Sequence, residues 1–170
     1  MEAEKTEVWF AVQTWPRYEK KVKNELERKG FEVFLPLEIS KRQWSDRTED
    51  LQLPLFPTYV FLRASDTLSR IPALRTNGVI GFVGSTSFGT PIPDSEIESV
   101  RTLLSCGICF QPYPFMIMKI GQRFRICEGS LSGVEGVLLA KNEDLSLVLS
   151  ISLVQRSLAI TVSGYRLEAA

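Results

Sequence analysis

The sequence predicts an α+β N-terminal part followed by a small all-β barrel. Three observations carry this prediction. Residues 8–105 read as β-α-β-β-α-β-α, an order that folds as an antiparallel sheet with helices on one face. A stretch with Pro112 and Pro114 and no periodicity then breaks the pattern. Residues 119–170 hold short β-rich segments separated by turn signals and no amphipathic helix, the texture of a small barrel. The expected boundaries are 1–105 for the first domain, 106–118 for a linker and 119–170 for the second domain.

Each element has its own signal. Val8 to Gln13 is β-branched and aromatic, hence a strand. Pro16 is expected to open a helix, because proline suits a first helical turn. Tyr18, Val22 and Leu26 repeat every four residues as one apolar stripe, and Gly30 ends the helix as a C-cap. Phe31 to Leu37 is a second strand, and the charged segment 38–52 reads as an exposed hairpin or loop. Leu55 to Arg63 is a third strand, Asp66 to Leu74 a short helix, and Val79 to Val83 a fourth strand between Gly78 and Gly84. A helix over 94–105 is expected to start at Asp94 or Ser95 as N-cap. In the C-terminal part, strands are expected around 124–126, 136–139, 146–151 and 159–162.

Composition excludes several function classes. The chain has 170 residues, 44% hydrophobic and 24% charged, with 20 basic and 20 acidic side chains. That is the composition of an ordinary globular protein, and its net charge of zero argues against a partner held by overall charge. No histidine is present, so histidine-based triads, general bases and metal ligands are all removed. No apolar run is long enough for a membrane span, and the acidic start MEAEKTEV is unlike a signal peptide; a cytoplasmic protein is expected. Cys106 and Cys109 form a C-x-x-C pair with Cys127 as the only further cysteine. A structural zinc needs four N or S ligands, so these read as plain thiols and no cofactor is expected. Carboxylates are scattered, no Ser or Cys has an evident base, and Gly78, Gly81 and Gly84 read as turns at strand ends. The chain is not expected to be an enzyme.

Two features point to binding. Aromatic residues crowd the first 61 positions, and strand alternation sends Tyr59 and Phe61 to one face and Val60 and Leu62 to the other. One apolar face packs on helices; the other either meets a partner or is buried inside the domain. Helix 1 carries Arg17, Lys20, Lys21, Lys23, Arg28 and Lys29, and the hairpin carries Lys41, Arg42 and Arg47 around Trp44. Cations interleaved with an aromatic ring suit phosphates and a stacked base; an ordinary solvated helix face is the bland alternative.

Several ordered motifs resemble a known family. Trp9-Phe10-Ala11-Val12, Pro16 to Val22, Phe34-Leu35-Pro36-Leu37, Pro54 to Phe61 and Gly78 to Gly84 resemble the N-terminal (NGN) domain of NusG-type transcription elongation factors. Ile120 to Ile126 and Glu128 to Gly136 resemble their C-terminal KOW motif, an SH3-like barrel. Arg42 to Arg47 and Pro54 to Pro57 look more like specialised RfaH-like or UpxY-like antiterminators than housekeeping NusG.

The resemblance implies a transcription elongation and antitermination factor, acting as a monomer without a membrane. Its N-terminal domain would bind the clamp helices of the RNA polymerase β′ subunit through Tyr59 and Phe61, with Leu55, Phe56, Pro57 and Tyr18 beside them. Ser69 and Arg70 lie where family members meet the β gate loop, although the family's histidine-threonine motif is missing. Arg17, Lys20, Arg75 and Asn77 match regions that touch non-template DNA, in addition to Arg42, Trp44 and Arg47. The KOW loop, with Glu128, Gly129, Leu131, Gly133 and Gly136, would recruit the ribosomal protein NusE or the termination factor Rho. The alternative is a KOW-type RNA- or ribosome-binding protein linked to translation.

Overall fold

The computed structural model describes residues 6–43, 48–108, 110–113, 122–141, 144–151, 154, 156–162 and 164–170. It divides into two compact units, Met1–Pro91 and Ile92–Ala170.

The first unit is built on β1 (Val8–Thr14), β2 (Val33–Phe34), β5 (Tyr59–Ala64) and β6 (Val79–Phe82), in the order β2-β5-β1-β6. All neighbours are antiparallel, and Phe10 faces Leu62 while Val12 faces Val60. Those residues form the core with Val22 and Leu26 of α1 (Glu19–Arg28) and Ala73 of α2 (Ile71–Leu74). The four-residue stripe of α1 therefore meets the period-two face of the sheet. β3 (Leu37–Gln43) and β4 (Thr48–Pro54) form a separate two-stranded hairpin.

Several boundaries differ from the sequence reading. Helix α1 begins at Glu19, three residues after Pro16, because Arg17 adopts a left-handed φ of 68° that no helix accepts. The second strand stops at Phe34, and the backbone resumes pairing at Leu37 in the hairpin. The third strand starts at Tyr59 because Thr58, at φ 69°, closes a turn over Leu55 to Thr58. Helix α2 is one turn long, preceded by turns from Ser65 to Arg70.

The second unit contains α3 (Asp94–Ser105), β7 (Gln111–Tyr113), β8 (Arg123–Ile126), β9 (Glu135–Lys141), β10 (Asp144–Ile151), β11 (Arg156–Thr161) and β12 (Leu167–Ala169). The strands form one antiparallel sheet in the order β12-β8-β9-β10-β11-β7. Two differences from the sequence reading concern its start. Gln111 to Tyr113, placed in the linker by sequence, pairs with β11; Pro112 is tolerated because β7 is an edge strand. Helix α3, grouped by sequence with the first domain, contacts β9 and β10, and Ser99 Oγ accepts a hydrogen bond from the Glu135 N–H (3.0 Å). An apolar stripe of Ile97, Val100 and Leu103 says that the helix is buried, not which sheet receives it. The N-cap of α3 is Pro93, with no side-chain cap bond; Asp94 lies in the first turn instead.

Candidate binding surface

The first unit carries an open, mostly apolar groove of about 480 Å³. Its walls are Pro16, Leu53, Pro54 and Pro57, with Arg17, Glu19, Lys20, Gln52 and Thr58 completing the lining. Three segments converge here: the turn between β1 and α1, the end of β4, and the turn before β5. Both non-glycine residues with positive φ among those described, Arg17 and Thr58, line this groove. Each such conformation costs about 1–2 kcal/mol for an L-residue and persists only where the surroundings hold it. Glu19 holds one of them: its side chain, 5% exposed, accepts the Thr58 N–H at 2.8 Å. Thr14 N–H also donates to Thr58 O (2.8 Å), locking the turn to β1.

The first unit also holds an aromatic cluster on β5 and its neighbours. Phe61, fully buried, meets Phe56 edge-on (6.0 Å between centroids) and Phe34 at 6.3 Å, and Trp9 meets Phe34 at 6.4 Å. The second face of β5 is thus buried at its centre. Phe56 (2% exposed) and Phe61 are interior side chains, whereas Tyr59 and Leu55 are half-buried and Pro57 is exposed. Tyr18 is half-buried at the edge of the core, with Lys21 Nζ 5.1 Å from its ring.

In the second unit, the turn from β8 to β9 is pinned by Gly133 N–H to Ile126 O (2.8 Å) and Ile126 N–H to Val134 O (3.0 Å). Glu128, Gly129 and Gly133 are exposed on it. Leu131 is fully buried. Gly136 is also interior, because any Cβ there would lie 2.5 Å from Val148 O.

Comparison with known proteins decides the family. The NusG family model, described as transcription termination factor nusG, matches residues 7–101. The chain is 30% identical to the transcription termination/antitermination protein NusG of Lactococcus lactis, over 94% of this chain and 91% of that one. This chain belongs to the NusG family. It is also 31% identical to the protein of the same name from Halalkalibacterium halodurans, over 76% of this chain and 79% of that one. A solved structure described as domain interaction in Thermotoga maritima NusG shares the fold with a TM-score of 0.50 at 22% identity, covering 96% of this chain and 97% of that one.

Within this NusG-family chain, the remaining residues singled out by sequence scatter. Arg70 is 8% exposed and spends its donors internally: on Asp66 O (3.1 Å), Phe88 O (2.8 Å) and Thr67 Oγ1 (3.2 Å). Its guanidinium sits 4.1 Å from the centroid of Phe10, and burial lowers its pKa against the opposing pull of Asp66. Ser69 closes a reciprocal turn with Asp66: its N–H donates to Asp66 Oδ1 (2.7 Å) and its hydroxyl accepts the Asp66 N–H (3.1 Å). Arg17, Lys20, Arg75 and Asn77 are exposed. Arg42 lies on β3, while Trp44, Arg47 and Cys109 fall outside the described residues. Lys23 and Arg28 pair with Glu27 and Glu25, and Lys29 bridges to Pro72 O and Thr76 Oγ1. Only part of the basic helix face is therefore left for a ligand.

Cys106 Sγ donates to Ser130 O (2.8 Å), and Cys127 Sγ lies 3.6 Å from Arg125 O. Among the described residues, no cluster of three His, Cys, Asp or Glu could hold a metal, and no helix is long and apolar enough to cross a membrane. The sequence reading does not single out Glu19, Leu53 or Trp15 for the surface. Trp15 was legible in principle: an indole between the end of a strand and a proline falls in a turn, where it is 49% exposed.

Proposed function

We propose that this chain is a specialised transcription elongation and antitermination factor that binds RNA polymerase through its N-terminal unit. The observation that carries this reading is the groove walled by Pro16, Leu53, Pro54 and Pro57 and held open by two left-handed turn residues. A preformed apolar groove receives a partner helix at little conformational cost. The occupant is the clamp-helix pair of the β′ subunit, which meets the groove walls Pro16, Leu53, Pro54 and Pro57 and the half-buried Leu55 and Tyr59 next to them in sequence, while Phe56 and Phe61 are interior support. Binding, not chemistry, is the mechanism: bridging the polymerase cleft suppresses pausing and termination. Exposed Arg17, Lys20, Arg75 and Asn77 face the non-template DNA at the rim. In the second unit, the exposed loop of Glu128, Gly129 and Gly133 recruits a ribosomal protein or Rho.

The test is titration of the full-length protein into an isolated clamp-helix fragment. Saturable binding that is lost in Tyr59→Ala/Leu53→Asp, with the fold intact by circular dichroism, supports the reading. Equal binding by the folded variant overturns it.

A further inference from the structure

The groove of the first unit separates apolar walls from a charged edge. Pro16, Leu53, Pro54 and Pro57 make the walls, and the charged lining is Arg17, Glu19 and Lys20. Gln52 and Thr58 add neutral polar groups. Glu19 is withdrawn from the surface: it is 5% exposed, and its carboxylate accepts the Thr58 N–H at 2.8 Å. Arg17 and Lys20 are both exposed. The charge that an occupant meets is therefore positive, although the lining contains a carboxylate.

Both cations are in place before any partner arrives. Arg17 lies in a turn closed by the Tyr18 N–H on Trp15 O (3.1 Å), with its left-handed φ of 68°. Lys20 follows in the first turn of α1. On a helix, a carboxylate three or four residues away would neutralise it. The residues at those spacings are Pro16, Arg17, Lys23 and Asn24. Farther along α1 the pattern changes, and Lys23 pairs with Glu27 and Arg28 with Glu25. Among the described residues, neither Arg17 nor Lys20 enters an ion pair.

We propose that the groove selects a partner helix that carries carboxylates beside its apolar stripe, with Arg17 and Lys20 as the residues that read them. An amphipathic helix lays apolar anchors spaced i, i+3, i+4 and i+7 into such a groove. Glu or Asp side chains flanking that stripe then meet the two cations at the edge. Each edge charge adds little affinity, but together they quicken encounter and reject a helix flanked by lysines. Arg17 and Lys20 line the groove itself, whereas Arg75 and Asn77 do not. A nucleic acid fits this lining less well: among the described residues that form it none is aromatic, so a base finds no ring to stack on. Phosphates are the competing ligand for the two cations, and the experiment includes them. The proposal rests on the reading of the groove as a helix-docking site, not on which protein supplies the helix.

The experiment is fluorescence anisotropy of full-length protein with two labelled helical peptides. They share one leucine stripe and are flanked either by glutamates or by lysines. The Glu-flanked peptide is expected to bind about tenfold more tightly at low salt. The gap should narrow as salt rises, because exposed charges are screened beyond about 10 Å at 0.1 M. Arg17→Glu/Lys20→Glu is expected to reverse the preference, and Leu53→Asp to abolish binding of the Glu-flanked peptide. Equal affinity for the two peptides, no saturable binding of either, or an unchanged preference in the folded double variant overturns the proposal. So does an oligothymidylate of about 12 nucleotides that displaces the Glu-flanked peptide at lower concentration than the unlabelled peptide does. If the double variant misfolds, Lys20→Glu alone decides, since a carboxylate suits the first turn of a helix; an unchanged preference there overturns the proposal. The clamp-helix fragment is titrated into the same samples. Equal fragment binding by wild type and Lys20→Glu, with no preference between the peptides, leaves the polymerase reading standing and this proposal overturned. A selective Glu-flanked peptide beside a fragment that does not bind supports this proposal and removes the polymerase reading.

Discussion

Glu19 Oε1 accepts a 2.8 Å hydrogen bond from the backbone N–H of Thr58, joining the first residue of α1 to the turn that launches β5. The carboxylate is almost wholly buried and the turn residue is left-handed. One side chain thus sets the spacing between two walls of the groove.

Glu19→Ala should destabilise the first unit by about 1.5–3 kcal/mol, the range for a hydrogen bond to a charged group with its partner left unpaired. Glu19→Gln keeps an acceptor oxygen and should recover most of that. Thr58→Gly should raise stability by a few tenths to about 1 kcal/mol, because glycine relieves the left-handed strain but loses more entropy on folding. Urea unfolding midpoints of the three variants check this ordering.

Tyr59 and Phe61 sit two residues apart on one strand face but should respond differently. Phe61 is fully enclosed by Phe34 and Phe56, so Phe61→Ala should cost about 3–5 kcal/mol of stability. Tyr59 is half-buried, so Tyr59→Ala should leave a folded protein that binds the clamp-helix fragment about 2 kcal/mol more weakly, the threshold for a hot spot. Thermal melts and titrations on the same samples separate the two effects.

Arg70 should behave as a structural residue. Arg70→Ala removes the bond to Phe88 O and the cation over Phe10, and should cost about 2–3 kcal/mol. Arg70→Lys should not rescue it, because an ammonium cannot reproduce the planar fork that reaches Asp66, Thr67 and Phe88. Hydrogen exchange should quicken first in residues 84–90, which that fork ties down.

Cys127 should alkylate slowly. Burial pushes its thiol pKa up, the Glu168 carboxylate pushes it further, and Arg166 opposes them. A raised pKa leaves less thiolate at any given pH, and the thiolate is the reactive form. Native alkylation by iodoacetamide should therefore rise through a midpoint at higher pH than in urea, and Glu168→Gln should move the native midpoint down. Mass spectrometry of the Cys127 peptide across pH reads both shifts; coincident native and unfolded profiles would contradict the assignment.

Much of this fold was legible from local chemistry. The β-branched and aromatic content of Val8–Thr14, the stripe Tyr18, Val22 and Leu26, and Gly30 after α1 are properties of neighbouring residues, so propensity, period and capping rules reach them. The ordered motifs around Trp9, Pro54 to Phe61 and Gly78 to Gly84 were enough to place the chain with NusG-type factors. Tertiary structure decided what depends on who faces whom. Identical alternation placed Tyr59 and Phe61 on one face, but only the packing of Phe34 and Phe56 buried one and left the other reachable. Arg70 read as a surface cation until the Phe10 ring and three oxygen acceptors enclosed it. An apolar stripe told that α3 is buried, but its sheet was settled by Ser99 meeting the Glu135 N–H. The left-handed turns at Arg17 and Thr58, which shape the groove, carry no glycine to announce them. At Thr58, bonds with the distant Glu19 and Thr14 offset a local strain that the sequence alone does not display.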